Sequence, residues 1–168
     1  MTTIVIYATK KGSSEIYARE FANSRHYPIL EQAQVTSKEL ITARNIYYFG
    51  SVYAGKVLGL EEWKKKIDDK KEMTIVSVGL SSKNDQEKLA EIQKGISEDF
   101  PEAATVHLRG RLVKEQMKLP EKLIVKMISM ASKKKIEQEK FDIEKTIEQV
   151  VDVGCVDFID LAELDRII

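Results

Sequence analysis

Residues 4–14 constrain the fold most, because an unbroken apolar run there turns directly into a helical pattern. Residues 4–8 are apolar and mostly β-branched or aromatic, which predicts a strand buried on both faces, as in a parallel sheet. From Ser13 onward, apolar residues recur on one face of a helix. The turn between them brings free helix N–H groups and the positive end of the helix dipole to one place, which predicts an anion site.

The turn itself supplies hydroxyl donors, two lysines and one glycine. It lacks the glycine spacing of a nucleoside-triphosphate loop and that of a dinucleotide loop. A hydroxyl-rich loop of this kind fits a terminal phosphate monoester, which N–H and O–H donors can surround. A second interpretation stays open, in which Ser13 or Ser14 only caps the helix and binds nothing. The residues of the turn are Thr9, Lys10, Lys11, Gly12, Ser13 and Ser14.

Further apolar runs alternate with helical patterns over the first hundred residues, which predicts a parallel α/β sheet. Turns that leave the strands at 8–14, 51–56 and 81–85 are rich in Gly, Ser or Thr. Because the carboxyl ends of parallel strands share one edge of a sheet, these turns are expected to form a common ligand site. The predicted strands after the first are 29–31, 45–51, 73–80 and 105–108, and the predicted helices are 13–24, 36–41, 58–67 and 86–100. Glu61, Glu62, Asp68 and Asp69 are interpreted as charge on a helix surface.

The last third of the chain has a different charge pattern. Residues 109–135 carry nine basic and two acidic side chains, whereas residues 136–168 carry three basic and ten acidic ones. We predict a helix over 119–131, a final helix from Asp157 that closes the sheet, and a helical insertion over 110–155. The whole chain, 1–168, is expected to form one domain.

Lysines recur every four residues at the start of the insertion, although Pro120 interrupts the row. Basic amphipathic helices can lie on anionic membranes, so one interpretation gives residues 114–135 a peripheral membrane contact. The alternative is a helix docked on its own domain and paired with the acidic tail. The lysines of the row are Lys114, Lys118, Lys122 and Lys126.

Composition excludes several other classes of function. The chain has 168 residues, with 27 basic and 27 acidic side chains, so no nucleic-acid partner is expected. Cys155 is the one cysteine, and His26 and His107 have no metal-ligand spacing around them, so neither a disulfide nor a metal site is predicted. Apolar runs are too short to span a membrane and no signal peptide is recognised. We expect a cytoplasmic protein, at the membrane periphery if 114–135 contacts lipid.

Several of these segments together resemble the flavodoxin fold family. Within it, the chain is most similar to the flavodoxin-domain group that contains the menaquinone-dependent protoporphyrinogen oxidase. The similar segments are Thr9-x-x-Gly12-x-Ser14, residues 49–56, residues 76–80, Arg109-Gly110-x-Leu112 and the end of the basic helix at 126–130.

The resemblance implies a five-stranded parallel sheet of order 2-1-3-4-5, with helices on both faces, and FMN as cofactor. It places the FMN phosphate in the first turn, from Thr9 to Ser14. It also implies that a second turn lies against the isoalloxazine ring and a third covers the other side of the ring. The second comprises Ser51, Val52, Tyr53, Ala54, Gly55 and Lys56, and the third comprises Gly79, Leu80, Ser81, Ser82 and Lys83.

The sequence departs from the usual flavodoxin pattern in the two lysines of the first turn, the single loop aromatic Tyr53 and the zero net charge. Tyr53 is expected to stack on the flavin, or else to be an ordinary loop tyrosine. Gly55 is expected to present its peptide to the flavin N5, or else to be a turn glycine. Lys56 is expected to hold positive charge near the ring, or else to be solvated. Lys10 and Lys11 are expected to neutralise the phosphate.

We therefore expect an FMN-dependent oxidoreductase that resembles protoporphyrinogen oxidase and passes electrons from an organic substrate to a quinone or other acceptor. A second hypothesis is a flavodoxin-type electron carrier that shuttles between redox partner proteins and has no substrate of its own. A third is a flavodoxin fold that binds no flavin and serves in protein interaction. A flavin supplies the redox chemistry itself, and no catalytic side chain is predicted.

Overall fold

The computed structural model describes residues 2–67 and 71–168. Asp68 and Asp69, which were predicted to be surface charges, lie outside the described residues. The described chain forms an α/β fold with a mostly parallel sheet between two layers of helices.

Five parallel strands form the main sheet in the order β2-β1-β3-β5-β6. This arrangement confirms the predicted flavodoxin-like order, 2-1-3-4-5. A short strand, β4, pairs with the end of β3 in antiparallel orientation. The strands are β1 (Thr2–Ala8), β2 (Ile29–Glu31), β3 (Ala43–Tyr53), β4 (Lys56–Val57), β5 (Glu72–Gly79) and β6 (Ala104–Arg109).

Helices cover both faces of the sheet. One face packs against the layer of α2, α3 and α4, where Trp63 and Ile92 are buried. The other face packs against α1 and the C-terminal segment, where Tyr17 and Ile167 are buried. Because residues of β1 alternate between the two clusters, the continuous apolar run is explained by burial on both sides. The helices are α1 (Ser13–Arg25), α2 (Ser37–Thr42), α3 (Leu60–Trp63), α4 (Gln86–Asp99), α5 (Leu119–Ser132) and α6 (Asp142–Val153).

The second turn of the site is a hairpin rather than the predicted irregular loop. Strand β3 continues through Tyr53 and pairs with β4 in antiparallel fashion. Ala54 and Gly55 both have positive φ, the backbone conformation of a two-residue hairpin turn. The predicted helix over 58–67 is also shorter than expected, since α3 ends at Trp63.

The insertion begins and ends with strands that pair with each other. Strand β7 (Arg111–Val113) lies antiparallel to β8 (Cys155–Asp157), and α5 and α6 lie between them in the chain. The final helix predicted from Asp157 is therefore wrong at its start, because Asp157 is extended in β8. What remains is a 3₁₀ segment, Leu161–Arg166, with Asp160 at its N-terminus accepting a hydrogen bond from the Ala162 N–H.

Helix α5 turns one side to the protein interior, where Ser132 hydrogen-bonds Glu148 of α6 and Val125 packs against the cluster that contains Val150. Ser129 and Ser132 are buried, whereas Leu123 and Met127 are exposed. The predicted pairing with the acidic half is present at the end of α5. There the Lys133 ammonium lies 2.9 Å from Asp152, and that of Lys135 lies 2.7 Å from Glu144.

A buried carboxylate fixes the start of α6 against the turn after β5. Asp85 is 1% exposed and accepts hydrogen bonds from the Ser82, Asp142 and Ile143 N–H groups at 2.9, 2.6 and 3.1 Å. Two of these donors belong to the first turn of α6, where an intrahelical acceptor is lacking. Asp85 therefore anchors the insertion to the sheet.

We predict that Asp85→Ala lowers the free energy of unfolding by about 2–3 kcal/mol, because it leaves buried N–H groups without their charged acceptor. Asp152→Ala is the matched control, since its carboxylate pairs with Lys133 on the surface and exposed pairs contribute less than about 1 kcal/mol. Urea unfolding of both variants makes the comparison. Equal losses would show that Asp85 is no anchor.

Candidate functional site

A cavity of about 390 Å³ lies at the carboxyl edge of the sheet, beneath the insertion. The turns after β1, β3 and β5 all contribute to its wall. The predicted residues that line it are Lys10, Lys11, Ser13, Ser51, Val52, Tyr53, Ala54, Gly55, Gly79, Leu80 and Ser81. Six other residues of the three predicted turns lie outside the cavity wall: Thr9, Gly12, Ser14, Lys56, Ser82 and Lys83.

The first turn places Gly12, not a serine, at the N-cap of α1. Gly12 has a φ of 90°, and among the described residues no side chain caps this helix, so the interpretation of Ser13 or Ser14 as the cap is wrong. Gly12 N–H donates to Thr9 Oγ1 at 2.9 Å, which closes the turn. The first N–H groups of α1 have no intrahelical acceptor, and they lie beside the cavity.

Both serines bind neighbouring segments instead. Ser13 Oγ accepts a hydrogen bond from the Arg111 N–H at 3.0 Å, which ties the first turn to β7. Ser14 Oγ lies 2.8 Å from Ser51 Oγ. Gly110 makes the first contact possible, because a Cβ there would lie only 2.9 Å from Ser13 Oγ.

Charged side chains gather at this end of the cavity. Lys11 Nζ lies 2.9 Å from Glu121 on α5 and donates to the Gln116 carbonyl at 2.7 Å. Lys10 Nζ lies 3.8 Å from the same carboxylate. The hydrogen bond from Lys11 is the main cause that lowers the pKa of Glu121 below its usual range.

Arg111 adds a third cation that sequence analysis missed. Its side chain lines the cavity, and its Nε is buried without a hydrogen-bond partner among residues 2–67 and 71–168. A buried guanidinium donor without an acceptor is costly, so its position favours an anionic ligand. The signal in the sequence was only Arg109-Gly110-x-Leu112, which does not show that Arg111 faces the first turn.

The second turn brings Tyr53 to the wall of the cavity, and this residue is 43% exposed. Lys10 Nζ lies 3.2 Å from the centre of that ring, so a cation occupies one face of the predicted stacking partner. Lys56 turns away, with its ammonium 2.8 Å from Glu61 on the surface. This pairing raises the pKa of Lys56 through the hydrogen bond to Glu61.

The third turn is held partly by the insertion. Ser82 Oγ donates to Asp142 at 2.6 Å, and this hydrogen bond is the main cause that lowers the pKa of Asp142. Ser82 thus binds α6, whereas Leu80 and Ser81 face the cavity. Arg109 fastens the same turn, because its guanidinium donates to the Leu80 carbonyl and lies over the Phe158 ring.

His107 is a second cavity residue that sequence analysis set aside. Its Nδ1 lies 2.8 Å from Ser77 Oγ and its Nε2 lies 3.2 Å from the Ser81 carbonyl. A neutral ring that donates through Nε2 and accepts through Nδ1 satisfies both contacts. Burial, with Arg166 and Arg109 nearby, lowers the pKa of His107 to about 4.

The rest of the wall is apolar and comes largely from the insertion. These side chains close the cavity on the side away from the sheet. They are Leu112, Met117, Ile124, Val125, Ile128, Ile143 and Ile147. A ligand held here would have one end among cations and the remainder among aliphatic side chains.

Two general features of the described chain bear on function. No helix within 2–67 and 71–168 is long and apolar enough to cross a membrane. In the same residues, no group of three or more His, Cys, Asp or Glu side chains is arranged to hold a metal ion.

The fold and the cavity together define an α/β protein with a cavity at the carboxyl edge of its sheet, the place where sheets of this kind bind ligands. The family model described as Flavodoxin domain matches residues 4–139. The chain belongs to this flavodoxin domain family.

Solved structures similar to this chain are distant in sequence. A flavodoxin from the domain Archaea is 13% identical, with 98% of this chain and 99% of that chain covered and a TM-score of 0.47. A flavodoxin from Streptococcus pneumonia TIGR4 is 13% identical, with 69% and 90% covered and a TM-score of 0.47. A flavoprotein from Lactobacillus acidophilus NCFM in complex with FMN is 10% identical, with 64% and 91% covered and a TM-score of 0.41. No curated protein matches the sequence significantly.

We predict that His107 makes stability depend on pH. Its pKa in the fold, about 4, lies below the ordinary value of 6.5, so the unfolded chain binds the proton more readily between these values. This contribution is fully present above pH 6.5 and is lost as the pH falls towards 4. The loss is about 2–3 kcal/mol for a shift of this size in a partly buried group.

Urea unfolding between pH 4 and 6.5 tests this in the wild type and His107→Gln. The variant should show a shallower dependence of unfolding free energy on pH. His26→Asn is the control, because His26 is exposed and in the left-handed conformation, which asparagine tolerates. Identical slopes in all three proteins would rule out His107 as the source.

Proposed function

We propose that the chain binds FMN in the cavity and acts as an oxidoreductase. One observation supports this most directly: the cavity joins a cationic end, at the N-terminus of α1, to an apolar remainder. FMN has the same division, because a phosphate dianion lies at one end and a largely apolar ring system at the other. Membership of the flavodoxin domain family supports the same ligand.

Charge balance favours a dianion at the cationic end. Lys10, Lys11 and Arg111 oppose the single carboxylate of Glu121 there. A phosphate monoester carries a charge near −2 at neutral pH, which compensates the excess. Arg111 Nε and the N–H groups that begin α1 would donate to it. Thr9 and Ser14, although outside the wall, keep the turn in shape.

The isoalloxazine ring would occupy the apolar part, between the second and third turns. In this arrangement Tyr53 and Gly55 would lie on one side, and Gly79 to Ser81 on the other. The bound flavin supplies reversible two-electron chemistry. The chain itself excludes water with the side chains of α5 and α6 and holds a neutral imidazole, that of His107, at the wall.

The enclosing insertion favours an enzyme that resembles protoporphyrinogen oxidase, which takes electrons from an organic substrate and passes them to a quinone or other acceptor. A substrate needs space beside the ring, and residues of the insertion such as Ile124 and Ile147 border such space. The second candidate is an electron carrier between proteins. It is favoured by the exposure of Tyr53 at the cavity wall, which would leave the site accessible to a partner.

We expect purified protein to bind FMN with a saturable change in the visible absorbance of the flavin. Lys11→Gln and Arg111→Gln should each raise the Kd for FMN by roughly tenfold or more, since each removes a charged donor to the phosphate. Lys94→Gln, on the exposed side of α4, is the matched control and should bind like the wild type. An unchanged spectrum at every FMN concentration would refute the flavin site and leave an interaction domain.

A second experiment separates the two candidate functions. FMN-loaded protein is mixed anaerobically with protoporphyrinogen, and the flavin absorbance is followed before and after addition of menadione. The enzyme predicts bleaching by the porphyrinogen and recovery with the quinone. Bleaching by a reduced flavoprotein but not by the porphyrinogen would support the carrier instead.

A further inference from the structure

Helix α5 presents an apolar stripe to the outside of the molecule. Leu119, Leu123, Met127 and Met130 are between 57% and 82% exposed. They are spaced by four, four and three residues, so they form one continuous row on a helix. Exposed apolar patches of this kind usually mark an interaction site.

A row of lysines runs along one edge of this stripe. Lys122, Lys126 and Lys133 share a side of the helix, because they are four and seven residues apart. Within the described chain, Lys122 and Lys126 form no salt bridge, whereas Lys133 pairs with Asp152. The acidic residue of the same helix, Glu121, points to the cavity and binds Lys11. The outer surface of α5 is therefore apolar and basic.

The other edge of the stripe leads into the cavity. Ile124 and Ile128 line the cavity and are still 50% and 36% exposed. An apolar surface thus continues from the outside of α5 to the space beneath it. The inward side of α5 is a different one, with Ser129 and Ser132 buried and Val125 packed against Val150 of α6, so the described chain leaves the stripe uncovered.

We propose that the outer face of α5 docks on an anionic lipid bilayer. Apolar side chains would enter the interface, and the lysines would extend their stems to reach lipid phosphates. Charge complementarity favours this occupant over a second copy of the chain, since two copies of the face would bring their lysine rows together. In this orientation the apolar surface that leads to the cavity would face the bilayer, so that a lipid-soluble reactant could enter the site. This last consequence, unlike the docking itself, rests on the proposed function.

Co-sedimentation with vesicles tests the docking. Wild-type protein should bind vesicles of phosphatidylcholine that contain phosphatidylglycerol, more weakly at high salt, and should not bind vesicles of phosphatidylcholine alone. Lys122→Gln/Lys126→Gln should lower the partition coefficient roughly 20-fold. Leu123→Gln/Met127→Gln should lower it roughly tenfold or more.

The matched control uses another exposed helix. Lys38→Gln/Ile41→Gln removes one lysine and one exposed apolar residue from α2 and should bind vesicles like the wild type. FMN titration of every variant without vesicles separates docking from the flavin site, because none of these residues lines the cavity.

Three results would overturn the proposal. The first is no binding of the wild type to anionic vesicles at low salt. The second is binding that both α5 variants retain. The third is a concentration-dependent dimer, seen by sedimentation velocity and abolished by Leu123→Gln/Met127→Gln, which would assign the face to a second copy of the chain.

Discussion

Two carboxylates hold the insertion over the sheet, and the candidate site depends on both. Asp85 accepts three N–H groups and fixes the start of α6 to the turn after β5. Glu121 accepts the Lys118 N–H at the start of α5 and binds Lys11 in the first turn. Each anion thus satisfies a helix N-terminus and joins it to a turn at the carboxyl edge of the sheet. Together with the β7–β8 pairing, these links hold the apolar side chains of α5 and α6 at the cavity wall.

Much of the fold follows from the sequence because burial on both faces of a parallel sheet leaves a strong signal. The runs that became β1, β3 and β5 are rich in β-branched and aromatic residues, and their turns carry Gly, Ser and Thr. The C-terminal segment was harder, since its apolar residues suit a helix equally well. Its extended start at Asp157 is imposed by pairing with β7, more than forty residues earlier, and such a contact has no local signature.

The site was only partly predictable for the same reason. Turns that follow strands could be placed at one edge from the order of elements alone. Arg111 and His107 could not be placed at the site in this way, because Arg111 lies on a strand of the insertion and His107 lies on an edge strand of the sheet. The sequence also did not show which side of α5 is exposed. Apolar residues lie on several sides of α5, and only the structure shows that Ser129 and Ser132 are buried while Leu123 and Met127 are exposed.

Glu121 also explains why a turn with two lysines can remain ready for an anion. Lys10 and Lys11 carry like charges and repel each other, although Lys10 lies over the Tyr53 ring and Lys11 also donates to the Gln116 carbonyl. The shared contact with Glu121 orients both ammonium groups at the cavity, and the excess charge of Arg111 remains uncompensated within the described site. One carboxylate among three cations keeps the lysines in place while leaving a net attraction for a dianion. Under the proposed function, this arrangement would give the lysines of the first turn a part in phosphate binding, beside the hydroxyl and N–H donors of the turn.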